Sequence, residues 1–338
     1  MRIDLSISRW LCAALCLAPF WVSGADVVYF GIVKSQQFTQ TNSSAPAPLA
    51  SNAFLFTAFV VASSNTVVTN ATVTPPAKPT RTLLSDSNGL SLRYEYATNT
   101  QAQLDALFPS PAFLNPANYS LTMSTVNDGT KSVTLSWTIL GFPIGYPPTA
   151  QVIGFPEAQD IDHTQDFTLR WTASGGNALD IVQVLVMDGS SNLVFASPVP
   201  FTPGALNGTS TSVVIPANTL PPDTVLQAHL AVARPALPNT NDYVGTIGVP
   251  ALAKDTGFSM RTRPVPRPPL LELAPRVANQ FLLRLRSESN RLYQILATED
   301  FLTWTNLLIT NSASGTFDFT DPEFTNFARR FYRGKVGQ

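Results

Sequence analysis

From Asp26 onward, β-branched and aromatic residues come in short runs, each closed off by Gly, Pro, Asn or Asp. "DVVYFGIVK" (26–34), "AFLFTAFVVA" (53–62), "LSLRYEYA" (90–97), "YSLTMSTV" (119–126) and "KSVTLSWTI" (131–139) form a first set. Runs of this length and composition, separated by turn residues, specify antiparallel strands. Asn127-Asp128-Gly129 lies between two of them and reads as a hairpin turn, because these residue types tolerate positive φ. "TQAQLDALF" (100–108) is the one helical turn expected here, stopped by Pro109.

A Pro/Gly-rich join near residue 147 leads to a second set: "DFTLRWTA" (166–173), "LDIVQVLVMD" (179–188), "NLVFAS" (192–197), "STSVVIPA" (210–217) and "TVLQAHLAVA" (224–233). Trp171 is the expected core anchor of this set. "RTRPVPRPPL" (261–270) then reads as a stiff polyproline-type spacer. A short unit of strands follows: "NQFLLRLRSE", "RLYQILATED", "WTNLLIT", "GTFDFTD" and "RRFYRGKV". The fold class is therefore all-β. The expected order is two antiparallel, immunoglobulin-like β-sandwiches (26–146 and 147–261), a Pro-rich linker (262–271) and a small C-terminal antiparallel β-domain (272–338).

The first 25 residues read as a secretory signal peptide. Arg2 and Arg9 precede an apolar run from Trp10 to Val22, and Ser23 and Ala25 are small residues spaced for cleavage. The run is too short for a membrane anchor. The two cysteines, Cys12 and Cys16, both lie inside this segment, so a chain starting at Asp26 has no disulfide and no Cys-ligated metal. No later stretch is long and apolar enough to span a bilayer as a helix. The expected localisation is secreted or cell-surface, and a disulfide-free exported β-protein points to a bacterial source. The sequons at Asn42, Asn70, Asn118 and Asn207 would be surface sites for glycan attachment in a eukaryotic host.

Two stretches carry a resemblance. "LPPDTVLQAHLAV" is similar to the turn entering a late strand of fibronectin type III and related immunoglobulin-like domains; Leu220, Pro222 and Thr224 match, and Leu226 stands where the corner tyrosine would be. In the last fifth of the chain, Tyr293, Asp300 and Trp304, then Asp321-Pro322, then Phe331-Tyr332-Arg333 resemble the small C-terminal β-domain of many large exported proteins of environmental bacteria. The resemblance implies secreted or cell-surface β-modules and carries no catalytic residues over to this chain.

Charge narrows the partners. The net formal charge is −1, and acidic residues outnumber basic ones up to residue 260 while the order reverses after it. The whole is too weakly charged for a nucleic-acid binder, and the terminal bases are interleaved with Asp318, Asp321 and Glu323. "ARRFYRGKV" reads as a terminal strand with Arg329, Phe331, Arg333 and Lys335 on one face and Arg330, Tyr332 and Gly334 on the other. A strand docking a partner is the alternative, which makes Arg330 and Tyr332 candidate ligand contacts.

Other candidates are few. His163 and His229 stand alone, without an HExxH, a GxSxG elbow or a phosphate loop. Asp160, Asp162 and Asp166 in "DIDHTQD" could supply oxygen ligands to calcium, but the glycine and terminal Glu of a calcium loop are missing, so a polar turn is the first reading. No other cofactor is expected. Tyr94 and Tyr96 share a strand face and are candidates for stacking a sugar ring, against ordinary sheet packing. The sequence thus points to a non-enzymatic interaction or structural protein with an extracellular protein or cell-envelope glycan as partner. The alternatives are a carbohydrate-binding accessory protein and a glycan hydrolase with unmarked carboxylates.

Overall fold

The computed structural model describes residues 25–337 apart from 113–114, 173–176, 201, 265–266 and 275–280. The leader expected over 1–25 lies outside the described residues except for Ala25, and so does part of the 262–271 spacer. The described chain is all-β, and its longest helix, Gln101–Leu107, is one short segment capped by the Thr100 hydroxyl, which accepts from Gln103 N at 3.2 Å. No helix among the described residues is long and apolar enough to cross a membrane.

Two compact units divide at Arg263 and Pro264. The first is organised by one nine-stranded sheet. Its strands run in the order Leu193–Ala196, Ile181–Met187, Val225–Pro235, Ile247–Arg261, Val27–Gln40, Phe54–Ala62, Ser91–Thr98 and Leu84–Ser85, with Ala47–Pro48 pairing additionally on Val27–Gln40. Strands of both segments read from sequence as separate sandwiches are therefore members of the same sheet. The join is the pairing of Val27–Gln40 with Ile247–Arg261, from Tyr29↔Ile247 to Gln40↔Phe258, and this pair is parallel rather than antiparallel. Parallel neighbours need a long crossover. Here nearly the whole unit lies between them.

One face of this sheet is covered by two smaller sheets. Over the first half lies Arg81–Thr82, Val68–Thr74, Tyr119–Thr125 and Gly129–Leu135. The core between them contains Phe30, Ile32, Phe56, Ala58, Tyr119, Leu121 and Trp137. Over the second half lies Val152–Ile153, Phe167–Trp171 and Ser212–Ile215, with Val184, Leu226, Leu230, Phe258 and Trp171 in its core. Ile247–Arg261 serves both cores, giving Leu252 to the first and Phe258 and Met260 to the second. Gln40 extends the second small sheet with its side chain: its Nε2 donates to Val152 O at 2.9 Å and its Oε1 accepts from Val152 N at 2.8 Å. The indole nitrogens of Trp137 and Trp171 donate to Ala251 O at 2.9 Å and Ser210 O at 2.8 Å, which satisfies both buried donors.

The second unit is a pair of three-stranded antiparallel sheets, Leu270–Leu273/Leu282–Arg286/Thr316–Thr320 and Thr305–Asn311/Leu292–Thr298/Phe331–Val336. Leu283, Leu285, Tyr293 and Ile295 form its buried core. That is a small core for an independent unit, and polar anchors supplement it, as described next.

Candidate interaction site

In the C-terminal unit, period-2 alternation along Phe331–Val336 sends Tyr332 and Val336 against the core and leaves Phe331 and Arg333 on the other face. The inward side is held by Asp321, only 2% exposed. Its Oδ2 accepts from the Tyr332 hydroxyl at 2.8 Å and lies 2.8 Å from Arg330 Nη1, while its Oδ1 accepts from Glu323 N at 3.0 Å. The Arg330 guanidinium also stacks on the Phe327 ring at 4.1 Å. The structure thus turns the two candidate contacts, Arg330 and Tyr332, onto one buried carboxylate. Burial, reinforced by that carboxylate, pushes the Tyr332 phenol above its ordinary pKa.

The outward side is a different surface. Phe301 packs on Phe331 with ring centroids 4.0 Å apart and on Trp304 at 6.5 Å, and Arg333 stacks on Trp304 at 3.9 Å. Phe301 is 60% and Leu302 86% exposed, so the two apolar side chains stand at the tip of a turn where polar residues would be expected. Asp300 builds that turn. Its Oδ1 accepts from Leu302 N and Thr303 N, both at 2.9 Å, and from the Thr298 hydroxyl at 2.9 Å. These hydrogen bonds, the Thr303 and Leu302 amides first, hold its carboxyl below the usual aspartate pKa. Phe301 adopts φ +62°, a left-handed conformation that a bulky aromatic seldom takes. The turn therefore holds Phe301 outward at a conformational cost. The motif Tyr293, Asp300, Trp304, Asp321, Phe331-Tyr332-Arg333 divides accordingly: Tyr293, Asp321 and Tyr332 stabilise the fold, while Asp300, Trp304, Phe331 and Arg333 frame the exposed tip.

The other sequence candidates are dispersed in the first unit. Asp160 forms a two-point ion pair with Arg263, both contacts at 2.8 Å. Asp162 Oδ1 accepts from Thr164 N and Oγ1, and Asp166 Oδ1 accepts from Ala217 N at 2.8 Å. The three carboxylates have separate protein partners, and no metal-sized acidic or His cluster occurs among the described residues. Tyr94 packs against the first core, 6.4 Å from the Phe56 ring, and Tyr96 is 41% exposed with its ring 5.8 Å from Phe108. His229 Nδ1 lies 3.1 Å from Asp255 Oδ2 on the neighbouring strand, and the His163 carbonyl accepts from Asn218 N.

A buried ion pair was missed at the sequence level. Lys34 is 0% exposed, and its ammonium donates to Asp105 Oδ1 and to Ser110 Oγ (2.7 Å) while lying 5.1 Å from the Trp137 ring centroid. Ser110 Oγ and Gln101 Nε2 also donate to Asp105 Oδ1, at 2.8 and 3.0 Å. Burial pulls the Lys34 pKa down against the upward pull of Asp105. The signal was available: alternation puts Lys34 on the face of Phe30 and Ile32.

No family model and no curated protein matches the chain. Among solved structures it is similar to the chicken CNTN1 FN1-FN3 domains at 12% identity and TM-score 0.23, over 78% of this chain and 83% of that one. The ICAM-5 D1-D4 ectodomain fragment aligns at 9% identity and TM-score 0.25, over 84% and 69%. A tetra-tandem repeat from the extending region of a large adhesion protein aligns at 12% identity and TM-score 0.21, over 86% and 65%. Likenesses at these TM-scores carry no argument about arrangement or activity, and the all-β class rests on the strands themselves.

Proposed function

We propose that this chain is an exported, non-enzymatic interaction protein whose C-terminal unit docks on an extracellular or cell-surface protein through the 299–303 turn. The observation that carries the reading is the pairing of Phe301 and Leu302, apolar and exposed, on a turn that Asp300 braces and that places Phe301 at positive φ. Local backbone strain at an exposed apolar tip is expected where a partner, rather than stability, selects the residue. Arg and aromatic residues around it supply the side chains that dominate protein interfaces. The four buried carboxylates among the described residues, Asp26, Asp180, Asp255 and Asp321, each have a protein partner, the His229 ring in the case of Asp255, which supports a structural role for them over a hydrolytic one.

The test is depletion from solution by whole bacterial cells, peptidoglycan and insoluble polysaccharides, comparing the wild type with Leu302→Asp and with Tyr96→Ala. Protein-dependent retention on cells, abolished by Leu302→Asp and by protease treatment of the cells, is the expected result. Retention on a purified polysaccharide that only Tyr96→Ala removes would replace this reading with glycan binding at Tyr96.

A further inference from the structure

Asp26 is 3% exposed although the expected leader ends immediately before it, and all of its polar groups are engaged. Its backbone N donates to Asp128 Oδ2 at 2.7 Å. Its own Oδ2 accepts from Asn127 N at 2.6 Å and Asp128 N at 3.3 Å, and its Oδ1 accepts from Asn127 Nδ2 at 2.7 Å. Its carbonyl accepts from Ser63 N at 2.9 Å and Ser63 Oγ at 3.1 Å. Asp128 Oδ2 also accepts from the Tyr243 hydroxyl at 2.5 Å. The 127–129 hairpin turn and the start of the first strand thus clasp each other through two carboxylates. No Lys or Arg among the described residues forms an ion pair with either of them; Lys131, the cation nearby, lies over the Tyr243 ring at 5.5 Å. Desolvation acts to raise the Asp26 pKa, and the Asn127 and Asp128 hydrogen bonds more than offset it, so Asp26 is held as a carboxylate.

Two carboxylates, Asp26 buried and Asp128 partly exposed on its turn, thus face each other with no cation between them, an arrangement that a positive charge would complete. Beside the Tyr243 hydroxyl, the Asp26 backbone nitrogen is aimed at Asp128 Oδ2, and it is the one atom that acquires a positive charge if the chain is cut before it. We propose that Asp128 is the seat of an α-ammonium group, formed when a leader peptidase cleaves between Ala25 and Asp26. Water supplies a hydroxyl to the Ala25 carbonyl and a proton to the Asp26 nitrogen, and the new amine takes a further proton from solvent. The Asp26 amide becomes an ammonium in the same position, and its contact with Asp128 becomes a charge-assisted one. The proposal rests on the export reading above and goes beyond it by fixing the cleavage point and its consequence: leader removal completes the first unit electrostatically.

An ammonium paired with a carboxylate has a raised pKa. Its stabilisation is complete below the usual α-amino range of about 7.7–8.0 and is lost as pH rises through the raised native value. The experiment compares full chains made with Asp26 as first residue and with Gly24-Ala25 retained before it, each with and without Asp128→Asn. Labelling of the α-amine by an acylating reagent at pH 7 is followed by mass spectrometry of the N-terminal peptide. Melting temperature is followed from pH 6 to pH 10. The expected result is labelling of the Asp26-first chain about tenfold slower than in its Asp128→Asn form, the rate change of one pKa unit, and a melting temperature that falls toward pH 10 in that chain alone. Equal labelling rates, or an equal loss on Asp128→Asn in both chain forms, would overturn the proposal. N-terminal sequencing of the secreted protein is the second arm. Asp26 as first residue supports the cleavage point, and any other first residue overturns it. A chain that is never exported counts against the export reading, while labelling of the trimmed chain still decides the Asp128 pair.

Discussion

Asp105→Ala removes the carboxylate from a lysine that has no exposed surface. Breaking a buried ion pair by deleting one partner costs about 3–5 kcal/mol, because the remaining charge is left uncompensated. Asp105 has 36% of its side chain exposed, so water reaches the pair from that side and the expected cost drops to about 2–3 kcal/mol. A ceiling also exists: at pH 7 the abandoned lysine can release its proton for about 4.6 kcal/mol, the distance from its ordinary pKa, and this falls by about 1.4 kcal/mol per pH unit. Burial already lowers the Lys34 pKa. Stability of the variant should therefore rise between the depressed native value and the ordinary lysine range, where the unfolded chain binds more protons. Lys34→Met should cost about 1 kcal/mol or less, since Asp105 keeps Ser110, Gln101 and solvent. The double variant should then lie close to Lys34→Met, giving a coupling of about 2 kcal/mol in a double-mutant cycle. Urea unfolding followed by tryptophan emission at pH 7 and pH 9.5 measures all four chains. If Asp105→Ala costs no more than Lys34→Met, or gains nothing at high pH, the ammonium is not held as described.

Gly31→Ala should lower stability by about 3 kcal/mol or leave the chain unfolded in the same assay, because an added Cβ would stand 2.3 Å from Val249 O and 2.7 Å from the Phe59 ring, and the backbone atom cannot step aside. Tyr332→Phe deletes a hydroxyl bonded to a buried carboxylate and should cost the C-terminal unit about 1.5–3 kcal/mol in thermal unfolding; a cost within experimental error would show Asp321 to be sufficiently served by Arg330 and the Glu323 amide. Calcium should leave the melting temperature unchanged, since Asp160, Asp162 and Asp166 have separate protein partners; a rise of several degrees that Asp162→Ala removes would restore them as a calcium site.

The all-β class and most strand positions were legible because alternation and turn chemistry are local properties. The hairpin around Asn127-Asp128-Gly129 and the helix ended before Pro109 both depend on a few adjacent residues, and both occur as the local chemistry dictates. The shared sheet was not legible. Nothing near Val27–Gln40 marks its neighbour as Ile247–Arg261, because a parallel register is set by long-range burial and not by a turn. The exposed tip was half legible: Asp300, Trp304 and Phe331 were visible as a motif, but that Phe331 faces outward with Phe301 while Tyr332 faces inward follows from the position of the terminal strand beside Leu292–Thr298. Lys34 shows the reverse case, a residue whose pattern was plain and whose partner, Asp105 on the helix, was not.

The central position of the first strand connects these features. Val27–Gln40 has neighbours on both sides, and its parallel partner is the last strand of the unit. The strand cannot complete its backbone hydrogen bonds until Ile247–Arg261 has been made, so pairing waits for nearly the whole unit and carries a high loop-closure cost. Once the sheet closes, Asp26, the residue just before the strand, is held beside the 127–129 turn. That is why Asp26, itself buried, meets Asp128 in a partly buried contact, and why a change of charge at its nitrogen should be felt as stability of the whole unit rather than as local fraying.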